Sequence, residues 1–257
     1  MNYEEYKTYL TKNFKEYTDN YDSSSTKINL KIIHTYKVAA LCEEIARSLN
    51  LSDDDIHIAW TCGMLHDIGR FEQVKRYNTF VDSLSVDHAN FGADLLFVDG
   101  LYNKMVQSDI TPDQKDLIEK AIRAHSSLRI PENLRDREKL FANLLRDADK
   151  LDIFRVNKET PLNEIFNRTM DEIKASEVSE EVMNAFNEKR CVKRDERHTA
   201  IDFLVAHICL VFELVYPKSL ELMKENKYLD HLLNFESVNE NTQKWFAYMR
   251  EEIQKLY

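Results

Sequence analysis

The chain has 257 residues and only four glycines, Gly63, Gly69, Gly92 and Gly100, all within one short stretch. No glycine follows Gly100, and prolines also number four. Sandwiches and barrels turn tightly and often, and tight turns draw on Gly and Pro. Average usage of about 7% Gly and 5% Pro lies far above what this chain holds. The scarcity excludes an all-β fold, a collagen-like chain and a low-complexity one. An all-α fold is the expectation.

Apolar periodicity agrees. A first helix is expected over about 2–19, with Tyr6, Leu10, Phe14 and Tyr17 on one face. Ser23, Ser24, Ser25 and Thr26 form a turn and N-cap region. A second helix runs to about Leu49, its stripe made by Leu30, Ile33, Val38, Leu41, Ile45 and Leu49. Ser52 caps a third helix, with Asp53, Asp54 and Asp55 in its first turn, where carboxylates suit the helix dipole. That helix is expected to reach about Asp67 and to stop at Gly69, with an irregular segment over 69–85. Further helices are expected at about 86–98, from Thr111-Pro112 to about Ser126, over 137–157, from Pro161, and over 178–190, 196–216, 218–233 and 239–256. No repeat and no Gly/Ser- or Pro-rich linker divides the chain. One continuous all-α domain, with a helical extension over about 160–257, is the expected organisation.

Hydrophobic residues at 43% and charged residues at 31% suit a globular core and not disorder. A formal charge of −10 argues against sequence-independent binding to a nucleic acid duplex, which rests on phosphate neutralisation. It leaves room for a small phosphorylated ligand, because a metal ion or a local basic group reverses the field in a pocket. Cys42, Cys62, Cys191 and Cys209 show no CxxC spacing and read as free thiols of a cytoplasmic protein. The N-terminus carries acids from its start and is not a secretory signal. The longest apolar stretch, Ile201–Tyr216, holds Asp202, His207 and Glu213 and is too short and polar to span a bilayer.

Three features set some histidines apart. His34 lies in line with Leu30, Val38 and Leu41 on the apolar side of its helix. His66-Asp67 is a pair at the end of an apolar helix, where an unwinding backbone lets both side chains reach one ion. Arg146, Asp147, Asp149, Lys150 and Asp152 interrupt an apolar helix, and Asp149, four residues after Leu145, faces inward. Carboxylates near a core are costly unless paired or bound to metal.

This set resembles the H…HD…D signature of the HD-domain metal-dependent phosphohydrolase superfamily. His34-Thr35-Tyr36-Lys37-Val38 resembles the H-x-x-R-V helix, and Gly63 to Arg70 resembles the L-L-H-D-I-G-[KR] element. Asp87 to Gly92 resembles the H-x-x-x-G segment of members with two extra histidines, and His125 falls where those members carry the second. The resemblance covers about residues 28–155. It implies an HD-domain helical bundle in which His34, His66, Asp67 and Asp149 ligate a divalent metal (Mn, Fe, Ni, Co, Zn or Mg). His88 and His125 would hold a second ion bridged by Asp67, or else line the pocket and contact substrate phosphate. It implies hydrolysis of a nucleotide or another small phosphate ester by metal-activated water, with Asp67 as the catalytic carboxylate.

Lys150 and Arg70, beside the motif residues, are the candidate phosphate-holding groups, and the segment Arg70–Ser85, with Phe71, Arg76, Tyr77, Phe80 and Asp82, is a candidate cover for the pocket. Asp147 and Asp152 are expected to hydrogen-bond around the ligands or to pair with Arg146. The G-Y-P tripeptide of cyclic-di-GMP hydrolases is absent. The same ligand order also resembles HD-type diiron oxygenases, which act on polyols or aminophosphonates, and a metal- and nucleotide-binding module without turnover is a third reading. Toward the C-terminus, Lys189, Arg190, Lys193, Arg194 and Arg197 read as a solvated face or a phosphate patch, and His198 and Asp202 as a pair. The stripe Ile201, Leu204, Val205, Ile208, Phe212 and Val215 reads as core or as a homodimer interface.

Overall fold

The computed structural model describes residues 2–106 and 110–256, and every regular element among them is helical. The chain divides into two compact units, Met1–Asp149 and Lys150–Tyr257.

The first unit holds α1 (Tyr3–Thr18), α2 (Thr26–Ser48), α3 (Asp53–Leu65), α4 (Ile68–Tyr77), α5 (His88–Ala93), α6 (Tyr102–Met105), α7 (Pro112–Ala124) and the start of α8 (Asp136–Glu159). The helix starts follow from side-chain caps. Ser52 accepts from the Asp55 amide, and Thr111 and Gln114 form a capping box with Pro112 at the first helical position. The central α3 is apolar on every side, and Ile56 and all of Ile58 to Leu65 are buried. α1 buries Tyr6, Leu10 and Phe14, and the Tyr6 hydroxyl lies 2.8 Å from the Thr61 hydroxyl of α3.

α2 turns a different face inward from the expected stripe. Ile28, His34, Thr35, Val38, Ala39, Cys42, Ile45 and Ala46 are buried, whereas Ile33 is 52% exposed. The reason is the line of contact with α3. A Cβ on Gly63 would stand 2.5 Å from the Ala39 Cα, so the two backbones touch at that point and set the rotation of α2.

The segment after the His-Asp pair also differs from expectation. α3 ends at Leu65, and Ile68–Tyr77 is helix rather than irregular chain. Gly69 does not stop a helix; it is the second residue of α4. A Cβ there would stand 2.6 Å from the His88 carbonyl oxygen and 2.7 Å from the Gly92 nitrogen, so Gly69 lets α4 and α5 meet main chain to main chain. The stop comes at Asn78, in the left-handed region with φ 52°. Phe71, expected in a covering loop, is fully buried against Phe14, Tyr17 and Tyr21. The irregular part is the shorter strap over residues 79–87, with a 3-10 turn at Asp82–Leu84.

The second unit contains α9 (Leu162–Phe166), α10 (Met170–Ala175), α11 (Glu180–Asn187), α12 (Ala200–Ile208), α13 (Pro217–Glu225), α14 (Tyr228–Leu233) and α15 (Glu240–Gln254). The helix expected over 196–216 is α12 followed by a 3-10 turn at Cys209–Glu213, and that expected over 218–233 breaks at Lys227, which has φ 50°. Ile201, Leu204, Val205 and Ile208 are core, while Val215 is exposed. Asp202 does not pair with the His198 ring. Its buried carboxylate accepts from the Ser179, His198 and Thr199 amides and starts α12. The basic run is tied into its own loop: Arg190 binds Glu196, and Arg197 donates to the Val192 carbonyl. Cys42, Cys62 and Cys209 are buried free thiols. Among the described residues no helix is long and apolar enough to cross a membrane.

Candidate metal centre

Asp67 lies in the turn between α3 and α4, fully buried, and its two oxygens face two different groups of ligands. Oδ2 is 3.4 Å from His34 Nε2 of α2 and 3.5 Å from His66 Nε2. Asp149 of α8 closes this side, its Oδ1 3.1 Å from His34 Nε2 and 3.8 Å from His66 Nε2. Oδ1 of Asp67 is 3.5 Å from His88 Nε2 at the start of α5 and 3.8 Å from His125 Nε2 just past α7. The structure therefore brings together all six residues singled out as ligands, from five helices or helix ends.

The ring nitrogens turned away from the centre decide what the inward ones do. Nδ1 of His66 donates to the Gly63 carbonyl (2.7 Å), and Nδ1 of His125 donates to the Ile122 carbonyl (2.6 Å). Nδ1 of His88 donates to the Asp82 carboxylate (2.7 Å). A carbonyl or carboxylate only accepts, so in all three rings the proton sits on Nδ1 and Nε2 carries a lone pair. Burial lowers the pKa of His66, His88 and His125, with the Arg70 charge assisting at His88; His88 and His125 come down to about 4. They are neutral imidazoles at neutral pH.

On the His88 side, two lone pairs 3.1 Å apart converge with a carboxylate oxygen. Ligand atoms about 2.0–2.2 Å from one ion lie about 3–3.5 Å from each other, so these separations suit a shared cation. Imidazole with carboxylate is a donor set for first-row divalent metals.

The HD-domain family model matches residues 32–153. Residues 32–153 are an HD domain. Proteins with this domain form a superfamily of metal-dependent hydrolases, and the matched span contains every one of the six converging side chains. No curated protein and no solved structure gives a significant match to the chain.

Around the candidate ligands of the HD domain lies a layer that was only partly legible in the sequence. Lys31 was missed. It sits three residues before His34 on the same face of α2, and its Nζ is 2.6 Å from Asp67 Oδ2 and 5.6 Å from the centre of the Phe80 ring. A lone cation inside an apolar helix pattern, at i−3 from a ligand, is the signal that marks it. Burial alone would raise the Asp67 pKa, but the Lys31 charge, with a hydrogen bond from His34 and the Arg70 charge, holds the carboxyl well below the usual range. Asp149 is held low by its hydrogen bond from His34, against the opposing effect of burial.

Arg70, a candidate phosphate group, directs Nη1 to the Gln73 side chain, the Phe80 carbonyl and Asp82, and its Nε lies 3.6 Å from Asp67 Oδ1. Asp82, expected only as part of a cover, is instead a partner of His88. Arg146 donates to the carbonyls of His125, Ser127 and Leu128 and so secures the chain after α7. Lys150 follows Asp149 on α8 and is buried, as are Asp147 and Asp152; Asp152 pairs with Arg155 at 2.6 Å.

Proposed function

We propose that the HD domain is a phosphohydrolase that cleaves a nucleotide or another small phosphate ester with two divalent cations. The observation that carries this reading is the division of Asp67, with Oδ2 facing His34 and His66 and Oδ1 facing His88 and His125. In it His34, His66, Asp67 and Asp149 hold one ion, and Asp67, His88 and His125 hold the other. Two such cations supply an activated water and stabilise charge on the phosphoryl oxygens.

The chain's own residues supply the rest. Buried neutral imidazoles keep their lone pairs inward without competition from protons. Lys31 and Arg70 place two positive charges beside Asp67 on the side of Phe80, an arrangement that suits an anionic ester. A neutral polyol has no use for these charges, which argues against a polyol oxygenase; an aminophosphonate would use them as a phosphate ester does, and oxygen uptake separates those two.

The test is a panel of phosphate mono- and diesters offered to protein stripped by chelator and reloaded with Mn, Fe, Co, Ni, Zn or Mg. Stripped protein is expected to be inactive and at least one reloaded form to release phosphate. Oxygen uptake by the iron form without phosphate release would establish the oxygenase instead. Tight nucleotide binding without product would make the domain a binding module.

Lys31→Met isolates the anion-binding step. The variant is expected to keep its ions and to show a KM for the ester raised roughly tenfold or more, the loss of one charge-assisted hydrogen bond. An unchanged KM would reduce Lys31 to a counter-ion for Asp67.

A further inference from the structure

The three anchored histidines are not held alike. His66 and His125 each donate Nδ1–H to a carbonyl three residues earlier in the same helix. His88 stands at the start of α5, where no preceding turn offers a carbonyl, and its Nδ1 partner comes from the strap: Oδ2 of Asp82, six residues earlier. The other oxygen of Asp82 accepts from Arg70 Nη1 at 2.8 Å and from Gln73 Nε2 at 3.0 Å. Gln73 is fully buried on α4, and its orientation is set by a donation from Nε2 to the Val86 carbonyl and by acceptance at Oε1 from Arg70.

We propose that Asp82 is a positioning residue whose clamped carboxylate fixes the proton of His88 on Nδ1 and thereby presents the Nε2 lone pair to the second ion. This rests on the two-ion reading above. Partners behind a metal-ligating histidine fix its tautomer and direction, and losing one typically costs about 10–100-fold in metal affinity. The strap is thus part of the ion site, and Arg70 and Gln73 act on His88 through Asp82.

The geometry makes one substitution especially informative. In Asp82→Asn the two donors, Arg70 Nη1 and Gln73 Nε2, select the amide oxygen, because neither can face an NH2 group. The amide nitrogen is then turned to His88 and donates to Nδ1. The ring proton moves to Nε2, the atom that must face the ion. Asp82→Ala removes the instruction without reversing it. A purely structural role for Asp82 would make alanine the worse change; the tautomer role makes asparagine the worse.

Two measurements decide. Nitrogen-15 spectra of the histidine rings in metal-free protein are expected to show His88 as the Nδ1–H tautomer in the wild type, as Nε2–H in Asp82→Asn and as a mixture in Asp82→Ala. Metal titration is expected to show second-ion affinity reduced roughly 10–100-fold in Asp82→Asn, less in Asp82→Ala, with the first ion kept in both. Wild-type affinity for the second ion in Asp82→Asn, or a greater loss in Asp82→Ala, would overturn the proposal. A wild-type chain that takes only one ion would instead overturn the two-ion reading, and the spectra would still decide whether Asp82 governs the His88 proton.

Discussion

Asp67→Ala is expected to strip both ions from the chain together and to lower phosphate release by more than about a hundredfold. Losing a partner one layer behind a ligand already costs up to about that much, and in the proposed two-ion site Asp67 is a ligand shared by both halves. Its Oδ2 stands within 3.5 Å of the His34 and His66 nitrogens, and its Oδ1 within 3.8 Å of those of His88 and His125. No other acid among the described residues does this. Asp149→Ala provides the contrast, because the close contacts of the Asp149 carboxylate, 3.1 Å to His34 Nε2 and 3.8 Å to His66 Nε2, are on the Oδ2 side of Asp67. That variant is expected to lose the ion on its own side and to keep affinity on the His88 side. Metal analysis after dialysis, alongside phosphate release, checks both. Two ions retained by Asp67→Ala would remove the bridging role.

Gly69→Ala is expected to disrupt the packing beside the site although it adds only a single methyl group. The added carbon would stand 2.6 Å from the His88 carbonyl, 2.7 Å from the Gly92 nitrogen and 2.9 Å from the Gly92 Cα. All three are main-chain atoms, so no side chain can rotate away and α4 must part from α5. Overpacking of this kind costs about 1–3 kcal/mol and sometimes more. With all three obstructions in main chain the upper end of that range applies, about 3 kcal/mol, and the helix-propensity gain of alanine, at most about 1 kcal/mol, leaves a net loss of about 2 kcal/mol. Gly92→Ala meets the same contact less severely, its nearest obstruction being the Gly69 nitrogen at 2.9 Å and the next at 3.3 Å, and the propensity gain comes close to offsetting it. Urea denaturation of metal-free protein should rank the two. Because the first atom displaced belongs to His88, Gly69→Ala should also weaken the second ion, and equal stability of both variants would refute the ranking.

The converging side chains were legible because they break local patterns: a histidine on an apolar stripe, a His-Asp pair closing a buried helix, an aspartate four residues after a core leucine. α4 was not legible, because Gly69 looked like a stop. Its apolar residues Ile68, Phe71 and Val74 recur at three-residue spacing, but the reason for a glycine at its second position lies on another helix, at Gly92. The inward face of α2 was misread for a related reason. Leu30 and Ile33 fit an apolar stripe by residue type, whereas close approach at Gly63 turns the small residue Ala39 inward. Asp82 stayed hidden because a carboxylate in a polar strap is unremarkable until Arg70, Gln73 and His88 are seen to surround it.

The anchoring of the rings bears on how portable the site is. His66 and His125 take their orientation from a carbonyl three residues back, so each carries its aim within a single turn of chain. Grafted onto the end of a helix in another scaffold, either would arrive already directed. His88 would not, since its direction is written in the strap and on the buried side of α4. A designer moving this centre could transplant two of its histidines as isolated helix ends, but would have to carry residues 70–88 as one piece to bring the third.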